Sequence, residues 1–347
     1  MLGRGSGGLE KISATYSKIL SSKNLLSFNI IRNGSATGSQ FLGRTFKIKT
    51  FIFTKLYHTI KLIVFIKKNK VTIAISHGRR AFEFADLLRF LLNLFFRYKL
   101  EIALVLHSNN DVKFISKVDM VFCLTGLMQK KAEKISPNDK VFLVQNPCFS
   151  NDLYQKNKEL KFKIDKNFIK IGLIARLHNE TKSIDTAVKA IDTLVNEYKI
   201  KNIKLSIAGD GPDFDYLNNL IIDFKLENFV ELLGWKDESF WKEIDILYVT
   251  SKIETFGLSP IEGILYKKII ICSDILTLKE VVPMNDRYSF KTGDFRDLAK
   301  KTSQLLINNL EEINDDFEIY FQYIEKYSEE NIGNVIKSII KSTENAF

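Results

Sequence analysis

Short apolar runs of strand length alternate with stretches of helical period along the whole chain. In the first half these runs read VTIAIS, EIALVL, MVFCLT and KVFLVQ, at residues 71–76, 101–106, 120–125 and 140–145. Continuous apolar runs separated by helical stretches are typical of parallel strands buried on both faces and joined by crossover helices. The pattern therefore predicts a doubly wound α/β unit in the first half.

The second half repeats this pattern. The runs FIKIGLIA, IKLSIAG, FVELLG, DILYVTS and KIIICSD predict five further strands, and residues 183–198 place their apolar side chains on one helical stripe. The polar stretch at residues 146–167 shows little apolar period and predicts the break between two domains. We assign residues 1–150 to an amino-terminal domain and residues 151–347 to a carboxyl-terminal domain that ends in two helices. A ligand cleft is expected at the carboxyl ends of the strands.

Composition agrees with a folded chain, and charge separates its halves. Of 347 residues, 45% are hydrophobic and 27% are charged. Residues 1–150 contain 24 Lys and Arg against 8 Asp and Glu, which gives +16, whereas the remainder contains 27 against 33, which gives −6. The basic first half indicates an anionic partner, for which an anionic membrane surface is the main candidate. No helix-turn-helix or zinc-finger pattern supports nucleic-acid binding.

The number of cysteines and the length of the apolar runs indicate the cellular compartment of the protein. Cys123, Cys148 and Cys272 are odd in number and far apart, so we expect neither a disulfide framework nor a cysteine metal site. No signal peptide is visible, which favours the cytoplasm. The most apolar stretch, FADLLRFLLNLFFRYKL, is interrupted by charges too often to span a bilayer, so any membrane association should be peripheral.

The segment SKIETFGLSPIEG follows a predicted strand and contains a helix start. Gly257 permits backbone conformations that a side chain blocks, and Pro260 is tolerated only in the first turn of a helix, which predicts a start near Leu258. The backbone N–H groups from Phe256 to Ser259 then lack helical acceptors. Together with the helix dipole they are suited to bind a diphosphate.

Two glutamates and two cations belong to the same predicted site. Glu254 precedes the helix and Glu262 lies within it, and a carboxylate is able to accept hydrogen bonds from sugar or ribose hydroxyls. Arg176 follows the strand FIKIGLIA, and Lys182 comes six residues later. These cations are suited to neutralise the phosphates of a departing nucleoside diphosphate without a metal ion.

Four ordered blocks carry a resemblance to a known family. The blocks are IGLIARLHNETKSIDTAVKAI, SIAGDGPDFDYLNNLI, FVELLGW and DILYVTSKIETFGLSPIEGILYKKIIICSDI. Across about residues 168–310 they resemble the carboxyl-terminal domain of family-4 (group 1) retaining glycosyltransferases. The resemblance implies the GT-B fold, in which two Rossmann-like doubly wound domains face a central cleft.

The resemblance also implies roles for particular residues. Glu254 would contact donor-sugar hydroxyls as a catalytic residue, Glu262 would hold the nucleotide ribose, and Arg176 and Lys182 would bind the diphosphate. The turn of Gly209, Asp210, Gly211 and Pro212 would lie beside the nucleotide base. The remaining donor-binding positions would be Phe256, Gly257 and Leu258. Neither a metal ion nor a separate cofactor is expected.

The first half resembles the family more faintly. The segment GSGGLEKISATYSKIL looks like a glycine-rich loop that opens the first helix, with Gly7 and Gly8 close to a donor phosphate or an acceptor. His107 directly follows a predicted strand, where the family keeps a histidine beside the donor sugar, and we assign it a catalytic role. His77 follows another strand, and a structural role for it is as strongly favoured as a functional one.

Two features depart from the family pattern. Family members begin with a buried strand before the glycine-rich loop, whereas this sequence starts at MLGRGSGG. We therefore expect an amino-terminal domain that lacks its usual first strand, through a misplaced start or a decaying gene. Ser183 stands where a glycine often follows the lysine.

The leading interpretation is a retaining, metal-independent glycosyltransferase, cytoplasmic and peripheral on the inner face of the membrane. It would move a sugar from a nucleotide-sugar donor to a lipid-linked or saccharide acceptor in envelope glycan synthesis, for example of a lipopolysaccharide core. One alternative is a non-catalytic or truncated homologue that only binds nucleotide-sugar. Another is a nucleotide-sugar epimerase of the same fold.

Overall fold

The computed structural model describes residues 8–22, 28–32, 44–48, 52–108, 110–136, 140–165, 167–307 and 309–344. The chain forms two compact units. One comprises Leu2–Pro147 together with Glu329–Phe347, and the other comprises Cys148–Ser328. The change from the first unit to the second lies close to residue 150, where the polar stretch indicated a domain break.

The amino-terminal unit contains four helices and six strands before Cys148 among its described residues. The helices are α1 (Gly8–Ser22), α2 (Ile52–Lys68), α3 (Arg79–Phe96) and α4 (Gly126–Glu133). The strands are β1 (Phe28–Arg32), β2 (Arg44–Ile48), β3 (Ile73–His77), β4 (Glu101–Leu106), β5 (Met120–Cys123) and β6 (Val141–Leu143). A 3₁₀ helix at Asp111–Lys117 joins β4 to β5.

Strands β3 to β6 form a parallel sheet in the order β3-β4-β5-β6. Each coincides with an apolar run of the first half, so the predicted parallel sheet is confirmed. Strand β4 is buried from Ile102 to Leu106, because helices cover both faces of the sheet. Strands β1 and β2 pair parallel in a separate two-stranded sheet, and the sequence did not predict them. Gly7, and any strand before Gly8, lie outside the described residues.

The carboxyl-terminal unit is built around a larger parallel sheet. Its strands are β7 (Ile169–Ile174), β8 (Ile203–Ala208), β9 (Val230–Gly234), β10 (Ile246–Val249), β11 (Ile269–Ser273) and β12 (Ser289–Phe290), in the order β12-β11-β10-β7-β8-β9. Its helices are α5 (Asn151–Lys158), α6 (Asn179–Lys182), α7 (Ile184–Asp192), α8 (Phe214–Asp223), α9 (Leu258–Leu265), α10 (Leu276–Val281), α11 (Phe295–Ile307) and α12 (Leu310–Ile324). The five predicted strands are confirmed, and the two-residue β12 is an addition.

The strand order of this sheet determines where a ligand would bind. The chain begins at β7 in the middle, adds β8 and β9 on one side, and then returns to add β10, β11 and β12 on the other. Loops that leave neighbouring strands in opposite directions open a crevice at the carboxyl ends of the strands. That point falls between β7 and β10, which are directly paired.

The last helix, α13 (Glu329–Glu344), belongs to the amino-terminal unit. Its apolar face, formed by Ile332, Ile336 and Ile340, is buried, and α13 packs against α1. Lys18 of α1 also pairs with Glu329 at 2.6 Å. This grouping differs from the expected assignment of residues 151–347 to one domain. Apolar period predicts that such a helix is buried on one face, but it does not identify the partner of that face.

The polar stretch at residues 146–167 contains α5, which the sequence did not predict. Ser150 caps this helix by accepting a hydrogen bond from the backbone N–H of Leu153 at 3.3 Å. Tyr154 provides the buried side, where its ring stacks on Phe149 and Phe321. A capped helix whose buried residues are one tyrosine and Asn157, which donates to the carbonyl of Leu265 at 3.0 Å, lacks the repeated apolar stripe that predicts a helix.

The three cysteines, Cys123, Cys148 and Cys272, are buried free thiols. Burial raises the pKa of Cys123 to about 12 and that of Cys272 to about 12, which keeps both thiols protonated. Among the helices that the structure describes, none is both long enough and apolar enough to cross a bilayer.

Candidate functional site

The loops that follow β7 and β10 bring a cation and a carboxylate into contact. Lys182 ends α6 and Glu254 lies in the loop before α9, and their Nζ and Oε1 atoms are 2.5 Å apart. Ser251 donates a second hydrogen bond to the same Oε1 atom at 2.8 Å. Both charged side chains are mostly buried. The structure therefore brings together two residues that sequence analysis placed in one site.

Backbone contacts hold these two loops in register. The hydroxyl of Thr250 donates to the carbonyl of Lys182 at 2.8 Å, and the backbone N–H of Lys252 donates to the carbonyl of Thr181 at 2.8 Å. Ser273, at the end of β11, donates to the carbonyl of Ser251 at 2.6 Å. The Lys182–Glu254 pair thus rests on a framework anchored to the strand ends, and Ser251 and Ser273 are site residues that sequence analysis missed.

Helix α9 begins at Leu258, as predicted. Gly257 precedes it with φ 91° and ψ 86°, a conformation that favours glycine, and a β-carbon there would lie 2.7 Å from the Leu278 side chain. Pro260 lies in the first turn and Phe256 is buried against Tyr327. The first-turn N–H groups point out of the helix start beside the Glu254 loop.

Glu262 occupies the second turn of α9 and is half-buried. Glu254 therefore lies before the helix and Glu262 within it, which is the arrangement that the spacing in SKIETFGLSPIEG predicts. The hydrogen-bonding role of Glu262 toward a ribose remains a prediction.

The Arg176 loop is supported by the turn that follows β8. The backbone N–H of Leu177 donates to the carbonyl of Asp210 at 2.9 Å. A β-carbon at Gly209 would lie 1.8 Å from the carbonyl oxygen of Ala175, and one at Gly211 would lie 2.4 Å from that of Leu177. Both glycines are therefore required for close backbone packing in this unit. Their predicted contact with a nucleotide base remains a prediction.

Arg176 itself is exposed at the carboxyl end of β7. The loop after it is fixed by Asp213, which accepts a hydrogen bond from the backbone N–H of Asn179 and donates its own N–H to the carbonyl of Leu177 at 3.1 Å. An exposed guanidinium on a loop held by these hydrogen bonds is available to bind an anion.

Ser183 adopts a left-handed conformation, with φ 47° and ψ 47°, and is fully buried between α6 and α7. This geometry favours a glycine at the position, since a β-carbon is strained in the left-handed region. The Ser183 hydroxyl offsets part of that strain by a hydrogen bond with Thr186 at 2.9 Å.

Asp274 follows β11 and is engaged by the protein itself. Its Oδ1 atom accepts hydrogen bonds from the hydroxyl of Thr292 at 2.6 Å and from its backbone N–H at 2.9 Å. The side-chain hydrogen bond from Thr292 is the main cause that holds the pKa of Asp274 below its ordinary value. Asp274 therefore ties the β11 end to the loop after β12.

In the amino-terminal unit, His77 and His107 form a pair at the carboxyl ends of β3 and β4. Nδ1 of His77 lies 2.9 Å from Nε2 of His107, so one ring donates and the other accepts. Burial lowers the pKa of His77 to about 3, and the neighbouring His107 lowers it further. Burial also lowers the pKa of His107 to about 4, against the opposing effect of Asp111. Both imidazoles are therefore neutral near pH 7.

Two residues that the sequence did not point to hold this pair. Asp111 is buried and accepts hydrogen bonds from the backbone N–H groups of His107 and Ser108, at 3.0 and 2.9 Å. Tyr16 of α1 packs edge-on against His77, with ring centroids 4.8 Å apart. Gly8, predicted to be part of a phosphate or acceptor loop, is the first residue of α1, and its ligand contact remains a prediction.

Comparisons with known proteins define the class. Residues 155–321 match the model of the family described as glycosyl transferases group 1. Solved structures with the GT-B fold superimpose on nearly the whole chain. Anabaena HepE in complex with UDP aligns with a TM-score of 0.75 at 14% identity, covering 97% of each chain. The lipopolysaccharide outer core galactosyltransferase WaaB aligns with a TM-score of 0.72 at 14% identity, covering 98% of this chain and 97% of that one.

The fold is therefore GT-B, as predicted from the sequence. The carboxyl-terminal unit carries a group 1 glycosyltransferase domain, so the resemblance of the four sequence blocks to group 1 glycosyltransferases is confirmed.

Curated relatives agree over part of their length. N-acetyl-alpha-D-glucosaminyl L-malate synthase of Bacillus anthracis is 26% identical over 208 residues, which are 57% of this chain and 53% of that protein. The O-antigen biosynthesis glycosyltransferase WclY of Escherichia coli is 31% identical over 150 residues, which are 42% of this chain and 40% of that protein. The chain thus spans about half the length of the curated relatives it matches, and these likenesses assign neither a donor nor an acceptor.

Proposed function

We propose that the protein transfers a sugar, with retention of configuration and without a metal ion, from a nucleotide-sugar donor to a lipid-linked or saccharide acceptor. The observation that carries this proposal is the grouping of Arg176, Lys182 and Glu254 with the start of α9 at the carboxyl ends of β7 and β10. Two cations and a helix amino terminus suit a diphosphate, and a carboxylate beside them suits sugar hydroxyls.

In the proposed reaction the protein acts mainly by stabilising the charge that develops on the leaving group. As the bond from the sugar to the diphosphate breaks, negative charge grows on the leaving phosphate. The guanidinium of Arg176, the ammonium of Lys182 and the first N–H groups of α9 stabilise that charge without reorganisation. Glu254 must exchange its bond with Lys182 for bonds to sugar hydroxyls when the donor binds. His107 is proposed, from the family resemblance, to contact the donor sugar.

The ligands and names of similar proteins indicate which nucleotide and acceptor class to test first. HepE has been solved with UDP and also with UDP-glucose, so UDP is the first nucleotide to test. Similar proteins named for O-antigen synthesis, poly(glycerol-phosphate) glucosylation and lipopolysaccharide outer core synthesis support an envelope glycan as the acceptor class. An acceptor of this class supports a cytoplasmic enzyme that is peripheral on the membrane.

Calorimetric titration with UDP, GDP, ADP and CMP, in buffer with a chelator, tests the donor site. We expect one nucleotide to bind, and Arg176→Ala to weaken that binding by at least tenfold, since a charge-assisted hydrogen bond contributes about 1.5–3 kcal/mol. Arg296→Ala, which removes an exposed guanidinium paired with Glu197 in the same unit, is the matched control. Binding only in the presence of a divalent ion would contradict metal independence.

Product analysis then separates transfer from binding alone. Incubation with the matching nucleotide-sugar and a panel of saccharide and lipid-linked acceptors should release nucleoside diphosphate and form a product with the anomeric configuration of the donor. Binding without release by a folded protein would favour the non-catalytic alternative. An inverted product would contradict retention.

A further inference from the structure

Helices α2 and α3 carry large apolar side chains on the faces that point away from the core. Exposed residues on α3 include Phe90 at 61%, Leu94 at 60% and Phe95 at 67%, and Leu87 and Phe96 are also exposed. On α2, Ile60 and Val64 are exposed at 53% and 58%. These seven residues are called the α2–α3 apolar surface below. Exposed apolar side chains clustered in this way mark an interaction site.

Packing within the unit makes this surface continuous. The opposite faces of the two helices share a core, in which Leu62 and Ile66 of α2 lie with Leu88 and Leu92 of α3. Residues 87, 90 and 94 follow helical spacing and therefore form one stripe. The ammonium group of Lys67 lies 3.7 Å from the centroid of the Phe96 ring, which joins the two helices at their carboxyl ends.

Charge around the surface has one sign. Residues 60–99 contain nine Lys and Arg and only two acidic residues. Both acids are neutralised locally, Glu83 by Arg79 at 2.7 Å and Asp86 by Arg89 at 2.5 Å. The exposed cations Lys67, Lys68 and Arg97 then cluster at the carboxyl ends of α2 and α3, beside the exposed phenylalanines.

We propose that the α2–α3 apolar surface docks the protein onto an anionic phospholipid bilayer. The phenylalanines and leucines enter the boundary between headgroups and acyl chains, and Lys67, Lys68 and Arg97 contact lipid phosphates. Apolar side chains next to exposed Lys and Arg match that interface, because long cationic side chains reach the headgroups while their stems stay in the apolar layer.

A second copy of the chain fits this surface less well. A symmetric dimer through it would bury the cations of both copies in one interface, and the surface offers no unpaired carboxylate among residues 60–99 to compensate. A bilayer with anionic headgroups supplies both the apolar layer and the opposite charge. The proposal deepens the proposed function, since it gives a lipid-linked acceptor a docking surface, but it does not depend on nucleotide binding.

Co-sedimentation with vesicles tests the proposal. The full chain is mixed with vesicles of equimolar phosphatidylglycerol and phosphatidylcholine, or of phosphatidylcholine alone. We expect the partition coefficient to be about tenfold higher on the anionic vesicles and to fall as NaCl rises from about 0.1 M to about 1 M. Lys67→Gln with Lys68→Gln should lower binding to anionic vesicles by about thirtyfold, at about 1 kcal/mol for each cation.

Substitution of the exposed phenylalanines tests the apolar contribution to membrane binding. Phe90→Ser with Phe95→Ser should lower the partition coefficient by at least about tenfold, because two large apolar side chains no longer leave water. Ile307→Ser with Ile319→Ser is the matched control, since it removes two exposed apolar side chains from the carboxyl-terminal unit and should leave binding unchanged. A circular dichroism melt of each variant verifies folding.

Three results would overturn the proposal. The first is equal sedimentation with anionic and zwitterionic vesicles. The second is full vesicle binding by the Phe90→Ser, Phe95→Ser variant. The third is that the original chain forms a dimer in sedimentation velocity and does not bind vesicles, whereas the Phe90→Ser, Phe95→Ser variant is a monomer. That result would assign the surface to a second copy of the chain. UDP titration of the same samples keeps this outcome distinct from the proposed function, because either binding reaction can fail without the other.

Discussion

The ammonium group of Lys182 and the carboxylate of Glu254 form an ion pair, with Nζ and Oε1 2.5 Å apart. A diphosphate that binds Lys182 must compete with the Glu254 carboxylate for the same ammonium group. The pair therefore holds both side chains in place before the donor arrives, and it opposes the binding of a nucleotide that carries no sugar for Glu254 to contact.

Glu254→Gln should strengthen UDP binding while it impairs sugar transfer. Removing the carboxylate charge frees the Lys182 ammonium and removes repulsion toward phosphate, which we expect to raise UDP affinity by about fivefold, or about 1 kcal/mol. Transfer should fall because the contact with donor-sugar hydroxyls is weakened. Calorimetry and a nucleotide-release assay measure the two effects.

Two variants control this experiment. Glu180→Gln removes an equal charge from an exposed position in α6 and leaves the Lys182 side chain unchanged, so UDP affinity should stay within twofold. Lys182→Ala should weaken both UDP binding and transfer. A Glu254→Gln variant that binds UDP more weakly than the original chain would contradict the competition between carboxylate and phosphate.

Ser183→Gly should stabilise the carboxyl-terminal unit relative to Ser183→Ala. Both variants lose the hydrogen bond to Thr186, and only glycine relieves the left-handed strain at φ 47°, so their unfolding free energies should differ by about 1 kcal/mol. Denaturant unfolding at equilibrium measures the difference. Equal stabilities would mean that the left-handed conformation carries no cost at this position.

Gly209→Ala should disrupt the donor site, whereas Gly234→Ala should not. The new β-carbon at Gly209 would overlap the carbonyl oxygen of Ala175 and push away the strand end that carries Arg176, so we expect UDP binding to fall by at least about tenfold. Gly234 has φ 65° with open space around it, so its substitution should cost about 1 kcal/mol of stability and little affinity. Equal UDP affinities for the two variants would contradict the packing role of Gly209.

Acid should destabilise the amino-terminal unit through the histidine pair. The pKa values of about 3 for His77 and about 4 for His107 lie below the ordinary imidazole value, so the unfolded chain binds protons that the folded pair does not accept. Stability should therefore decrease as the pH falls through about 6.5, by about 1–2 kcal/mol at pH 5 for a half-buried pair.

Denaturant unfolding at several pH values measures this loss. The variant His77→Leu, His107→Leu should show a smaller decrease between neutral and acidic pH, because the groups that take up protons only on unfolding are gone. His178→Asn, in the carboxyl-terminal unit, should retain the original slope. An unchanged slope in the double variant would assign the acid sensitivity to other groups.

The sheets and one helix start were predictable because their signals are local. Buried parallel strands must be apolar on both faces, and Gly257 followed by Pro260 limits where α9 begins. Strands β1 and β2 were missed because FNIIR and RTFKI are short and mixed in polarity, without the continuous apolar run of the other strands.

The nearness of Lys182 to Glu254 was predictable from the sequence, but their direct contact was not. Arg176, Lys182 and Glu254 were singled out because they follow strands whose carboxyl ends share one edge of a sheet. Nothing in the sequence shows that Lys182 pairs with Glu254, or that Asp111 accepts two hydrogen bonds behind His107, because these contacts depend on loop conformations. The structure explains the glycines at positions 209 and 211 without a ligand, because a β-carbon at either position would collide with the backbone of the neighbouring Arg176 loop.

Because α13 packs in the amino-terminal unit, that unit is able to complete its folding only after the carboxyl-terminal unit has been synthesised. The ribosome must make all of Cys148–Ser328 before the residues that pack against α1 exist. Nascent α1 therefore lacks the part of its packing that α13 provides, while the carboxyl-terminal unit has every residue of its own sheet available earlier. Because Tyr16 of α1 packs on His77, α13 completes the support behind the histidine pair only after the carboxyl-terminal unit has been made.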